Sequence, residues 1–261
     1  MKKRSISAFF IVLILTIAIY YGSYLFGILI GLCAILGFRE FINIKKKGNK
    51  NRLSCIELIS LITLLLLVFN NTFYSIDSIS LLALPILTFT IPIVIYNDKD
   101  KYNINDCFYL FGVVLILGIA FNSLILFRSK DIWLCVYVFL ISFMTDTYAY
   151  IGGMLIGKNK LTSISPKKTI EGSIIGTVMA TFLGTCFYDI LINDIGLIEI
   201  ALVSLVLSVI SQFGDLFFSS IKRYYDKKDY SNLIPGHGGI LDRLDSVIFV
   251  TIALNLILNI L

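Results

Sequence analysis

The stretch from Gly214 to Ser246 concentrates the polar chemistry of this chain between two apolar segments. It reads GDLFFSSIKRYYDKKDYSNLIPGHGGILDRLDS and combines carboxylates, lysines, arginines, the single histidine and several glycines. Carboxylates suit a divalent cation, lysine and arginine suit phosphate oxygens, and glycines let the backbone approach a ligand closely. Such residues at one boundary of an apolar chain predict a site for a charged, phosphate-bearing substrate.

Two sets of side chains in this stretch have the spacing of a helical face. Asp215 and Lys222 lie about two turns apart on one helix, and Asp242 and Asp245 are separated by three residues. Hard oxygen ligands of this kind suit magnesium, which binds one or two carboxylates together with phosphates and water. The alternative for Asp245 is a structural role, as a helix cap or as a partner of Arg243.

The segment between these two sets contains Pro235, Gly236, His237, Gly238 and Gly239, which impose a tight backbone. His237 either contacts a ligand or holds the glycine loop by a hydrogen bond. A zinc site is disfavoured, because the chain has one histidine and no cysteine near it.

A second candidate region begins at Asp146, seven residues before Gly153. At 1.5 Å per helical residue, its carboxylate lies about 10 Å from the following loop, inside the bilayer. An unpaired carboxylate there costs several kcal/mol, so Asp146 must be paired, protonated or bound to a cation. A structural ion pair is one alternative, but the intramembrane position favours function.

The loop after this helix contains Ser165, Lys167 and Lys168 in the string SPKKTIEG, just ahead of the next apolar segment. Two lysines before a helix amino terminus combine point charges with unsatisfied N–H groups, which suits phosphate binding. The alternative is that this lysine pair serves only membrane topology.

The elements that hold these residues are membrane helices. The chain of 261 residues is 57% apolar and 15% charged, with a mean hydropathy of +0.90, which excludes an ordinary soluble domain. We predict an all-α, polytopic integral membrane protein of about nine transmembrane helices. The predicted spans lie near residues 6–22, 24–43, 54–70, 78–96, 108–127, 132–152, 172–189, 197–218 and 241–260.

The basic residues predict the orientation, since those in short loops are retained on the cytoplasmic side. With Lys2–Arg4 inside, only Arg128 and Lys130 of the 22 lysines and arginines fall on the outer side. The amino terminus is therefore predicted to be cytoplasmic, and its first apolar run to be an uncleaved span. The net charge of +5 is a topology signal, so nucleic-acid binding need not be invoked.

The polar residues divide the chain into two regions. Residues 1–131 are predicted to form an amino-terminal scaffold of about five helices, and residues 132–261 a catalytic region of about four helices with cytoplasmic loops 153–171 and 219–240. Arg39, Glu40 and Glu57 are interpreted as interfacial or ion-paired residues of the scaffold.

At these residues the sequence resembles a known family. The pattern S-x-x-K-R-x(4)-K-D-x(5)-P-G-H-G-G-x-x-D-R-x-D, from Ser219 to Asp245, resembles the signature of the phosphatidate cytidylyltransferase (CDP-diacylglycerol synthase) family. Two preceding strings, D-x-x-A-Y-x-x-G from Asp146 and S-P-K-K-T-x-E-G from Ser165, are similar to a second block of that family. The amino-terminal half of the chain resembles the family only in its general apolar character.

The resemblance implies a magnesium-dependent reaction of CTP with phosphatidate that yields CDP-diacylglycerol and pyrophosphate in phospholipid biosynthesis. It also implies potassium as a second cation, a homodimer, and a multi-pass enzyme of the cell inner membrane with its active site facing the cytoplasm. Such a reaction needs in-line positioning and charge neutralisation at the α-phosphorus, which metal ions and cations supply.

The resemblance and the residue chemistry together predict a role for each candidate residue. The metal ligands are predicted to be Asp215 and Asp242, with Asp146 as a further ligand or the site of a second cation, and Asp245 beside them. The phosphates are predicted to be neutralised by Lys167, Lys168, Lys222 and Arg223. The substrate-binding residues are predicted to be Ser165, Ser219, His237, Gly238, Gly239 and Arg243, of which Arg243 orients the aspartates or contacts the leaving pyrophosphate.

Two other readings stay open at this point. A transporter or channel could use intramembrane carboxylates to move cations, but it would distribute polar residues through several spans instead of at one boundary. An enzyme of the same fold could also act on another lipid phosphate.

Overall fold

The computed structural model describes residues 2–46, 54–95, 102–234, 236 and 238–260. Within these ranges the chain forms nine α-helices and no β-sheet, which confirms the all-α prediction. The helices are α1 (Lys2–Tyr21), α2 (Ser23–Lys45), α3 (Cys55–Val68), α4 (Ser78–Ile95), α5 (Ile104–Lys130), α6 (Ile132–Ile156), α7 (Ile170–Leu191), α8 (Leu197–Tyr224) and α9 (Leu241–Leu258).

Each predicted span coincides with one of these helices. The break between α1 and α2 is Gly22 alone, whose φ of 93° is a left-handed conformation that glycine adopts without strain. Arg128, near the end of α5, donates from Nε to the carbonyl oxygen of Ile19 at 2.5 Å, next to this turn. The arginine thus holds the turn between the first two helices.

Five of the described helical segments are long and apolar enough to cross a membrane. They are Tyr24–Lys45, Ile104–Lys130, Ile132–Ile156, Ile170–Leu191 and Leu197–Tyr224. Shorter apolar helices cover Phe9–Tyr21, Cys55–Val68 and Ile79–Ile95, and α9 carries three charged residues near its start. The chain is therefore a multi-pass membrane protein, and the count of nine crossings stays a prediction.

Side chains at the loop boundaries explain where several helices begin. Ser54 and Glu57 form a capping box at the start of α3, and Asn103 and Asp106 form another at the start of α5. Thr169 accepts a hydrogen bond from the Gly172 N–H at the start of α7. These caps fix the helix starts on the side that bears the basic loops.

Small residues let α6 and α7 pack closely. A Cβ added to Gly176 of α7 would lie 2.7 Å from the carbonyl oxygen of Thr145 and 2.8 Å from the Cβ of Ala149, both on α6. Close approach through small residues is a common way for membrane helices to associate. It places the start of α7, with the adjacent Lys167 and Lys168 that precede it, beside the helix that carries Asp146.

Helix α5 packs against α2, α3, α4, α6 and α9, so it contacts helices of both predicted regions. The division at residue 131 stays a prediction. On α2, the fully buried Phe41 packs against Tyr109 of α5, Phe218 of α8 and Tyr230 of the following loop. This aromatic cluster supports the loop between α8 and α9.

Candidate active site

The loop between α6 and α7 reaches across to α8 through Lys168. The N–H of Lys168 donates to the carbonyl oxygen of Ser165 at 3.0 Å, which closes a turn around Lys167. The Lys168 ammonium then forms an ion pair with Asp215, whose Oδ1 also accepts a hydrogen bond from Ser219 at 3.3 Å. The two predicted halves of the site are therefore brought together by this pair.

A second ion pair joins α8 to α9. Lys222 Nζ lies 2.7 Å from Asp242 Oδ1, and both side chains are largely buried, at 10% and 5% exposed. The other oxygen of Asp242 accepts hydrogen bonds from the N–H groups of Tyr230 and Gly239, each at 2.9 Å. Asp242 thereby fixes both ends of the loop between α8 and α9.

Tyr230 lies beneath Lys222 in this loop, with the ring centroid 5.5 Å from the ammonium nitrogen. Its hydroxyl donates to the carbonyl oxygen of Phe218 at 3.2 Å. Burial, with added repulsion from Tyr109 and Asp242, raises the pKa of the Tyr230 phenol above its ordinary value, so the hydroxyl keeps its proton.

The glycine loop is folded against Asp242. Gly238 has a φ of 86°, its carbonyl oxygen accepts from the Ile234 N–H at 2.9 Å, and a Cβ at this position would lie 2.8 Å from Asp242 Oδ2. Both the conformation and the lack of space require glycine. His237 and Pro235 lie outside the described residues, so the predicted role of His237 stays a prediction.

Three carboxylates come together among α6, α8 and α9. Asp146 and Asp215 repel each other electrostatically, and Asp245 experiences both of their charges. Asp146 Oδ2 accepts a hydrogen bond from Ser246 Oγ at 3.3 Å, while Lys168 and Arg243 supply opposing charge. Repelling carboxylates inside a membrane protein require a cation or protons for compensation.

These carboxylates do not enclose a metal ion by themselves. Among the described residues, no group of three or more histidine, cysteine, aspartate or glutamate side chains has the arrangement of a metal site. Magnesium binds few carboxylates and completes its octahedron with water and substrate phosphates, so the donor chemistry of Asp146, Asp215 and Asp245 fits it. Both oxygens of Asp242 already accept protein hydrogen bonds, and its predicted role as a ligand would require release of Lys222.

Two of the predicted phosphate-binding residues lie at the surface instead of in the pairs described above. Lys167 is exposed on the turn, and Arg223 is exposed with Nη1 donating to the carbonyl oxygen of Lys227 at 3.0 Å. Both are accessible from the loop side of the helices.

The chain matches one family model over nearly its whole length, and similar proteins from several bacteria share one name. Residues 2–261 match the model of the cytidylyltransferase family. A phosphatidate cytidylyltransferase of Bacillus subtilis is 33% identical and covers 96% of this chain and 94% of its own length. Proteins of the same name from Staphylococcus haemolyticus and Staphylococcus epidermidis are 31% and 33% identical, with 99% of each chain covered.

The chain belongs to the cytidylyltransferase family. It is thus a membrane-embedded, CTP-dependent nucleotidyltransferase, as the motifs predict. In this cytidylyltransferase Lys168 is paired with Asp215 of α8, and Lys222 is paired with Asp242 of α9. They are positioned where anionic substrate oxygens could replace the carboxylates as partners.

The structure gives Glu40 contacts that the sequence interpretation did not include. Glu40 of α2 is 4% exposed and accepts hydrogen bonds from Ser231 Oγ and from the N–H groups of Ile240 and Leu241. A buried carboxylate requires hydrogen-bond donors, and these three groups supply them. By contrast, Glu57 does form the expected ion pair, with Lys46 at 2.7 Å.

Proposed function

We propose that this cytidylyltransferase is a phosphatidate cytidylyltransferase, which converts CTP and phosphatidate to CDP-diacylglycerol and pyrophosphate. The observation that carries the proposal is the pair of lysine–aspartate contacts, Lys168 with Asp215 and Lys222 with Asp242, beside the buried carboxylates Asp146 and Asp245. The relatives named phosphatidate cytidylyltransferase, at 30–33% identity over nearly the whole chain, support the same substrate.

In this reaction an oxygen of the lipid phosphate forms a bond to the α-phosphorus of CTP. The bond from that phosphorus to the bridging oxygen of the β-phosphate breaks, and the electron pair leaves with pyrophosphate. A monoester phosphate has a second pKa of about 6, so the nucleophile is largely ionised at neutral pH without a general base. The protein must therefore hold the reactants in line and neutralise their charge.

The two lysine–aspartate pairs, Lys168 with Asp215 and the buried Lys222 with Asp242, are suited to this task. When phosphates enter, Lys168 and Lys222 exchange carboxylate partners for phosphate oxygens, and Arg223 and Lys167 meet the triphosphate at the surface. Removing the ammonium groups from Asp215 and Asp242 leaves carboxylates that then attract a cation. Substrate binding and cation binding are thereby coupled through the same side chains.

Magnesium, when bound, would neutralise the polyphosphate and stabilise the charge that develops on the leaving pyrophosphate. We propose Asp215 as a ligand, with Asp146 and Asp245 as neighbouring donors and Asp242 joining after it releases Lys222. We propose that a second cation site, formed by Asp146 and Asp245, would hold a monovalent cation such as potassium.

The site is proposed to face the cytoplasm from the cell inner membrane, where CTP is present. The lysines and arginines near the loops between α6 and α7 and between α8 and α9 support this orientation. A homodimer remains a prediction.

The test uses the purified full-length protein in vesicles that contain a lipid phosphate. CTP labelled at the α-phosphorus should transfer its label to a chloroform-soluble product in the presence of magnesium, and CTP labelled at the γ-phosphorus should release labelled pyrophosphate. A panel of CTP, dCTP and ATP against phosphatidate, lysophosphatidate and an isoprenoid phosphate then defines both substrates. Absence of phosphatidate-dependent label in the lipid fraction would contradict the proposal.

A further inference from the structure

The helix that carries Asp242 and Asp245 begins without a cap of its own. The N-cap residue of α9 is Ile240, whose side chain offers no hydrogen-bond acceptor. A helix start leaves backbone N–H groups without intrahelical partners, and burying them unpaired is costly. The Arg243 N–H donates to the carbonyl oxygen of Ile240 at 3.0 Å, so it is the N–H groups of Ile240 and Leu241 that need acceptors from elsewhere in the chain.

Glu40 of α2 supplies these acceptors from about 200 residues away in the sequence. Its Oε2 accepts from the Leu241 N–H at 2.9 Å, and its Oε1 accepts from the Ile240 N–H at 2.9 Å and from Ser231 Oγ at 2.6 Å. Every partner is a donor, which matches an ionised carboxylate at the positive end of a helix dipole. One side chain thus ties α2 to the middle of the loop between α8 and α9 and to the start of α9.

Glu40 packs closely against Gly239 of the loop. The carboxylate is 4% exposed, and a Cβ added to Gly239 would lie 2.6 Å from its Cδ and Oε2. Gly239 is also the residue whose N–H binds Asp242 Oδ2 at 2.9 Å. The contacts of Glu40 and those of Asp242 therefore meet at one residue of the loop.

We propose that Glu40 is a positioning residue for the nucleotidyl transfer, acting through the loop of residues 230–241 and through Asp242. It fixes the direction in which α9 leaves the loop, and so fixes the aspartates of its first turns relative to Lys222. This inference rests on the proposed function for its catalytic consequence, whereas its structural part concerns the order of the loop alone.

The experiment compares the full-length wild type with Glu40→Gln, which keeps the side-chain volume but replaces one acceptor oxygen with an NH₂ group. Because all three partners are donors, no orientation of the amide satisfies them all. Ser231→Ala removes only one donor and should give an intermediate effect. The matched control is Glu57→Gln, a carboxylate that caps its own helix α3 and pairs with Lys46.

Two readouts are taken on folded, monodisperse protein. Hydrogen exchange followed by mass spectrometry should show exchange about tenfold or more faster in a peptide covering 230–241 of Glu40→Gln, and unchanged exchange there in Glu57→Gln. Turnover of Glu40→Gln should fall about tenfold or more, with a thermal unfolding midpoint within a few degrees of the wild type. A merely structural role would lower the midpoint and leave the turnover of folded enzyme unchanged.

Unaltered exchange in 230–241, or turnover within about twofold of the wild type per folded enzyme, overturns the inference. If the wild type itself forms no lipid-linked product, the proposed function fails, and the exchange measurement, which needs no substrate, still decides whether Glu40 orders the loop.

Discussion

At the scale of single residues, the adjacent lysines of the loop between α6 and α7 have different surroundings. Lys168 is part-buried and paired with Asp215, whereas Lys167 is exposed on the same turn. We expect Lys168→Met to lower turnover about 100-fold, the scale seen when a preorganised electrostatic contact is lost. Lys167→Met should lower it less than about tenfold, because an exposed charge is screened by solvent.

The two variants are matched in sequence position and chemistry, so label transfer from CTP under saturating substrate separates their roles. Equal losses of turnover in Lys167→Met and Lys168→Met would mean that the loop acts only by its net charge.

A second prediction at this scale concerns Gly238, which has positive φ and faces Asp242. Gly238→Ala should lower the free energy of unfolding by about 1–2 kcal/mol and reduce turnover, because the methyl group strains the backbone and displaces the aspartate. Gly112→Ala is the control, since a Cβ there meets no atom within 4 Å. It should be neutral or stabilise α5 by about 0.5–1 kcal/mol. Unfolding curves in detergent compare the two, and equal effects would refute the steric argument.

At the scale of elements, the close contact of α6 and α7 places Lys168 near Asp215. We expect Gly176→Val to destabilise the protein by about 1–3 kcal/mol, because the added carbons overlap Thr145 and Ala149. Turnover of the remaining folded protein should also fall, since the loop moves with α7. Gly112→Val in the open position of α5 provides the size-matched control for both measurements. Wild-type stability and turnover in Gly176→Val would show that the two helices do not need this approach.

The helices could be predicted because apolar runs separated by polar loops define membrane spans, and Gly22 and the caps mark their ends. The contact of Glu40 with the start of α9 could not be predicted from the sequence. Its partners are mostly backbone N–H groups, which leave no trace in the sequence, and they lie on an element about 200 residues away. Likewise, spacing placed Asp242 and Asp245 on one helix but could not reveal that Asp242 binds Tyr230 and Gly239.

At the scale of the whole molecule, the charge distribution predicts which side of the membrane each loop occupies. In intact cells, a membrane-impermeant maleimide should label Asn193→Cys, in the loop between α7 and α8, and should not label Lys158→Cys, between α6 and α7. Both variants are made in a background without the native cysteines, and labelling after permeabilisation shows that each site is reactive. The reverse labelling pattern would contradict the predicted orientation, because it would place the candidate site on the outer side of the membrane.

The motifs lie in two separate segments, residues 146–172 and residues 214–246, and the Lys168–Asp215 pair joins these segments in the folded protein. The sequence identifies the polar residues and the family they resemble, while the structure adds which lysine meets which aspartate. Lys168 with Asp215 and Lys222 with Asp242 are contacts that residue spacing within one segment could not assign, because each partner lies on a different element.

The central claim is that these aspartates and lysines transfer a cytidylyl group from CTP to a lipid phosphate. The most direct measurement is the transfer of α-phosphorus label from CTP into phosphatidate by purified wild type, Asp215→Asn and Asp242→Asn. We expect magnesium-dependent CDP-diacylglycerol from the wild type, and a loss of about 100-fold or more in each variant with the fold retained. Near-normal, magnesium-dependent turnover in both variants would contradict the account.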